Sequence, residues 1–70
     1  MKVIDLHGIR HHEVADIIIT ACTKYDIPFV VITGKSATMK HIVSGAAAEL
    51  GLEVRDHIGN PGRVVIYDGH

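Results

Sequence analysis

Two short stretches of this sequence hold residue types that can do chemistry. The first is Ile4-Asp5-Leu6-His7-Gly8, followed closely by Arg10, His11 and His12; the second is Thr33-Gly34-Lys35-Ser36. Asp5 and His7 stand two apart in an alternating apolar–polar run, so on a strand both side chains project from one face. An aspartate beside a histidine can hydrogen-bond the imidazole and keep a general acid or base working near neutrality. The competing reading is a solvated strand face on which the two are neighbours by chance.

Thr33-Gly34-Lys35-Ser36 leads into a helix start, where free backbone N–H groups and the positive end of the helix dipole favour an anion. Gly34 lets the backbone approach a ligand, Lys35 adds a point charge, and Ser36 or Thr38 can cap the helix. The ending resembles a nucleotide-binding P-loop, but that motif needs glycine five positions before Gly34, and residue 29 is Phe. An ordinary glycine turn with a serine cap explains the same residues. His7, His11 and His12 lack the spacing of a helical histidine pair and no carboxylate completes a ligand set, so neither a metal nor another cofactor is expected.

Stepping from strand to helix and back, the apolar pattern changes period between two and 3.6. Val3 to His7 reads as a first strand, with Ile4 and Leu6 on one face. A helix from about His12 to Tyr25 places Val14, Ile17, Ile18, Ala21, Cys22 and Tyr25 on one side, and Asp26-Ile27-Pro28 stops it. Phe29 to Thr33, apolar nearly throughout, reads as a central strand.

A second helix from about Thr38 buries Met39, Ile42, Val43, Ala46, Ala47 and Leu50, with Gly51 at the C′ position. Glu53 to Asp56 is a short edge strand, Gly59-Asn60-Pro61-Gly62 a turn, and Arg63 to Tyr67 the last strand. The order βαβαββ, with helices covering one face, describes a two-layer α/β sandwich with a mixed four-stranded sheet. The first two strands run parallel by the crossover rule, so both candidate loops meet at one sheet edge.

Seventy residues make a single domain, and 47% apolar residues suffice for one core. One cysteine, Cys22, permits no internal disulfide. No apolar run is long enough to span a bilayer and no leader pattern is present, so a cytoplasmic protein without a membrane partner is expected. The oligomeric state is left open. A net charge of −1 gives no global basic signature, which makes any nucleic-acid contact a local matter. Arg10, Lys35, Lys40 and the histidines are expected to gather at the shared edge, with Arg63 nearby across the sheet. Asp16, Asp26, Glu49, Glu53, Asp56 and Asp68 are expected elsewhere. Such a basic mouth suits a polyanion bound mainly through phosphate and sugar, since only Tyr25, Phe29 and Tyr67 are aromatic.

Ile4-Asp5-Leu6-His7-Gly8, Glu13 at the first helix, Ile32-Thr33-Gly34-Lys35 before the second and the closing Gly59-Asn60-Pro61-Gly62-Arg63-Val64-Val65-Ile66 together resemble the Smr (small MutS-related) domain. That family carries an (L/I)DLHG motif on its first strand and an (H/T)GxG motif on the loop after its second. The resemblance implies a fold like the C-terminal domain of translation initiation factor 3, and nucleic-acid binding, commonly with endonuclease activity on RNA or DNA. It implies Asp5 and His7 as the catalytic pair. It also implies Gly34 and Lys35 as the phosphate-binding loop, to which the shared edge adds Gly8, Arg10, Thr33, Ser36 and Lys40, and a partner that is nucleic acid, a ribosome or another ribonucleoprotein. Ser36 stands where the motif has its second glycine, which leaves a non-catalytic binding module as the alternative. With three residues before the first motif, the chain is read as a stand-alone domain.

Overall fold

The computed structural model describes residues 1–69. It comprises β1 (Val3–Asp5), α1 (His11–Lys24), β2 (Phe29–Ile32), α2 (Ala37–Glu49), β3 (Glu53–His57) and β4 (Asn60–Tyr67). The sheet order is β1-β2-β4-β3. β1 pairs parallel to β2, with Asp5 opposite Ile32. β4 runs antiparallel to both of its neighbours, Ile32 facing Arg63 on one side and Arg55 facing Val65 on the other. This is the two-layer α/β sandwich expected from the apolar pattern, with β2 interior and β3 on an edge.

Leu6, Phe29, Val31, Val64 and Ile66 meet Val14, Ile18, Ala21, Met39, Val43, Ala46 and Ala47 in one core. Phe29, Ile18 and Ile66 are among the largest fully buried side chains, each worth about 1.5–3 kcal/mol in transfer from water. Val30 and Val65, the alternate residues, pair across β2 and β4 on the opposite face, outside that core. The helices therefore cover one face of the sheet, as alternation requires.

The element ends differ from the sequence reading for identifiable reasons. β1 stops at Asp5 instead of His7, because Leu6 makes the last bond to β2, its N–H to the Ile32 carbonyl, and Ile9 N–H then turns back to the Leu6 carbonyl. Gly8, at φ 78°, supplies the left-handed residue that this turn needs. α1 begins one residue early, at His11, and Tyr25 is its C-cap. Leu50 was expected in the α2 stripe but is the C-cap residue and 41% exposed. Beyond it, Leu52 N–H bonds the Ala47 carbonyl and Gly51 N–H the Ala48 carbonyl, the paired bonds of a Schellman stop.

Candidate functional site

Parallel pairing of β1 and β2 puts the carboxyl ends of both strands, and the helix N-termini that follow them, on one edge of the sheet. β4 starts at this same edge because it runs antiparallel to β2, and the β3–β4 turn lies beside it. Asp5, His7, Gly8, Arg10, Thr33, Gly34, Lys35, Ser36 and Lys40 thus belong to one end of the molecule. The organisation expected from the sequence is present, but several side chains are used differently.

Asp5 is exposed, and its Oδ1 accepts the backbone N–H of His7 at 2.8 Å. Among the described residues the imidazole of His7 is not its partner. The carboxylate instead closes an Asx-type turn, which holds the main chain of His7 and leaves the ring open to solvent. Arg10, the N-cap residue of α1, offers no side-chain cap bond and is exposed.

The second loop is fastened by a single carbonyl. Gly62 C=O accepts the N–H groups of Thr33 at 3.0 Å and of Gly34 at 2.9 Å. Thr33 was expected to meet phosphate, but it is buried and its hydroxyl donates to the Gly34 carbonyl at 2.8 Å. It builds the loop and does not face a ligand. Gly34 has φ 66°, a left-handed conformation that a β-carbon would strain.

Ser36 is the N-cap of α2, with φ −70° and a hydroxyl that accepts the Met39 N–H at 3.1 Å. The position requires no glycine, and its side chain satisfies one of the orphan donors at the helix start. No described hydrogen bond engages the N–H groups of Lys35, Ala37 or Thr38, and the exposed Lys35 ammonium has no described partner. These amides, the dipole of a 13-residue helix and the Lys35 charge form a place for an anion.

Lys40 corrects the expectation of a free cationic rim. Its Nζ donates to the Pro61 carbonyl at 2.6 Å and pairs with Asp56 at 3.3 Å. Asp56, expected elsewhere, stands at this edge and neutralises it. Together these bonds tie α2 to the β3–β4 hairpin, which Gly62 N–H further shapes by donating to Asn60 Oδ1 at 3.1 Å. Arg63 faces the open side of the sheet in one row with Ile32 and Asp5, about 10 Å from Asp5 at the Cα positions for two strand spacings.

Sequence reading treated the hairpin as a turn alone, and its part in holding Thr33, Gly34 and Lys40 was missed. The dense Gly59-Asn60-Pro61-Gly62 run was the available signal, but it carries no mark of which loop its carbonyls will hold. A larger concavity of about 490 Å³ lies at the opposite end, between β1 and α1, lined by Lys2, Ile4, Asp16, Ile17 and Tyr25. Its residues come from the start of β1 and the body and end of α1, away from the candidate loops. Among the described residues, no three His, Cys, Asp or Glu side chains form a group placed to hold a metal, and no helix is long and apolar enough to cross a membrane. No family model, curated protein or solved structure matches the chain.

Proposed function

We propose that the chain is an Smr-like endonuclease of the cytoplasm, acting on RNA in preference to DNA, free or within a ribonucleoprotein. The observation that carries this reading is the meeting of an open histidine ring with an anion-ready helix start at one sheet edge. RNA brings its own nucleophile, the 2′-hydroxyl, so cleavage needs proton transfer and charge stabilisation. His7 takes the 2′-hydroxyl proton as the O2′–P bond forms and the P–O5′ bond breaks, and the departing 5′ oxygen takes up a proton from water. Lys35 and the unpaired amides of Lys35, Ala37 and Thr38 receive the charge gathering on the phosphoryl oxygens. Arg10 and Arg63 flank the path of the backbone.

The role of Asp5 in this scheme is positioning: it holds the main chain that presents His7. The test is cleavage of end-labelled RNA by the wild type and by His7→Ala, each with and without EDTA. Loss of cleavage in the variant with retained binding is expected, and undiminished cleavage by His7→Ala overturns the mechanism. The alternative, a non-catalytic binding module, is favoured by the absence of a described carboxylate–imidazole bond. It predicts salt-sensitive RNA binding that depends on Lys35, with no turnover at any protein concentration.

A further inference from the structure

The face of the sheet that the helices leave uncovered carries a second feature. Arg55 and Val65 face each other across β3 and β4, and Tyr67 follows Val65 on the same side of β4. Together with Pro28, His57 and Ile58 they line a concavity of about 320 Å³, at the lower end of the roughly 300–1,000 Å³ range of ligand pockets. Within it the Arg55 guanidinium lies 5.1 Å from the centroid of the Tyr67 ring. Val65 forms a dry floor at 9% exposure, while Ile58, on the hairpin turn, is 88% exposed. His57 Nδ1 is buried without a hydrogen-bond partner, so no described bond pins that ring atom.

We propose that this concavity holds one unpaired base of a single RNA strand whose phosphate occupies the α2 start, a reading that rests on the function proposed above. Its chemistry matches a base: a planar cation and an aromatic ring for the π-face, an apolar floor, and an imidazole edge for polar contact. A base-paired nucleotide has both faces stacked and its edge occupied, and cannot enter. The position also fits. Asp56, on the concavity's rim, is the partner of Lys40 on α2, and Lys40 also bonds Pro61 in the hairpin that holds the phosphate loop. The concavity begins at the hairpin that holds the loop and runs along the open face to Pro28 and Tyr67 at the other end of the sheet, so a strand that leaves the loop over the hairpin meets it. Tyr67, one of three aromatic residues in the chain, is partnered here by an arginine.

The experiment is fluorescence anisotropy with three probes: a single-stranded RNA, its duplex and an abasic strand of equal length. The wild type is compared with Arg55→Ala, Tyr67→Leu and Lys35→Ala, with circular dichroism melts to establish that each is folded. Arg55 is exposed, so its variant stays informative if the Tyr67 one does not fold. The expected result is a loss of single-strand affinity of about 5- to 100-fold for Arg55→Ala and Tyr67→Leu, with abasic-strand affinity little changed. Equal weakening on the abasic strand makes Arg55 a simple charge and overturns the base site. Wild-type affinity in both open-face variants while Lys35→Ala weakens binding also overturns it and leaves the nucleic-acid reading standing. Absence of RNA binding by the wild type overturns both.

Discussion

The carboxylate of Asp5 accepts the backbone N–H of His7 at 2.8 Å, across a separation of two residues. An acidic residue next to a histidine invites the reading of a charge-coupled pair, yet this contact is made to the peptide. Its effect is geometric: β1 ends, the chain turns at Gly8, and the imidazole is left exposed at the mouth of the edge.

A direct consequence concerns substitutions at Asp5. Asparagine keeps an acceptor oxygen for the His7 N–H, so Asp5→Asn should retain most cleavage, whereas Asp5→Ala loses the turn and a larger share. His7→Ala should cost about 10²–10⁴-fold, the usual contribution of a general base. Single-turnover RNA cleavage ranks the three. Asp5→Asn falling as far as His7→Ala would show that the carboxylate's charge, and not its hydrogen bond, is what matters.

Two lysines close in sequence should behave unlike each other. Lys35 has no described partner, so Lys35→Ala should weaken RNA binding and lower the slope of log affinity against log salt by about 1. Lys40 is engaged by Asp56 and Pro61. Removing it should loosen the hairpin and lower stability by about 0.5–1 kcal/mol, since the Asp56 side of the ion pair is exposed, with a smaller change in the salt slope. Binding titrations over several salt concentrations, with denaturant melts, separate these outcomes.

Ser36 tests the cap. Ser36→Ala leaves the Met39 N–H unsatisfied and should cost about 0.5–2 kcal/mol, while Ser36→Gly should cost only a few tenths. Because the backbone at residue 36 has an ordinary φ, a glycine at this position should alter cleavage by a small factor at most. A large gain in Ser36→Gly would mean that the serine side chain obstructs the phosphate.

Cys22 provides a pH-dependent signature. Burial against α1's neighbours raises its thiol pKa above the ordinary value of 9.0. The folded chain thus keeps a proton at pH values where the unfolded chain has lost it. Its stabilising share is complete below the unfolded thiol's pKa and disappears as pH rises through the folded one. Denaturant melts across the alkaline range should fall more steeply for the wild type than for Cys22→Ala. Alkylation of Cys22 should be slow in buffer and fast in urea.

The architecture was readable from local pattern. Alternation in Ile4-Asp5-Leu6-His7, the apolar runs Phe29–Ile32 and Val64–Ile66, the 3–4 spacing of Val14, Ile18 and Ala21, and the proline and glycine stops each act over a few residues, so the chain alone specifies them. The meeting of the two loops followed as well, because a right-handed crossover leaves parallel strands one shared edge. The atom-level use of the site was not readable. The carbonyl that fixes Thr33 and Gly34 belongs to Gly62, and the acid that quenches Lys40 is Asp56, sixteen residues away. Pairing across such distances depends on strand register, which the buried hydrophobic faces and the hairpin turn set together in three dimensions. The same holds at the opening motif: alternation can place Asp5 and His7 on one face, but only the turn after β1 decides that the carboxylate takes the peptide N–H and leaves the ring free.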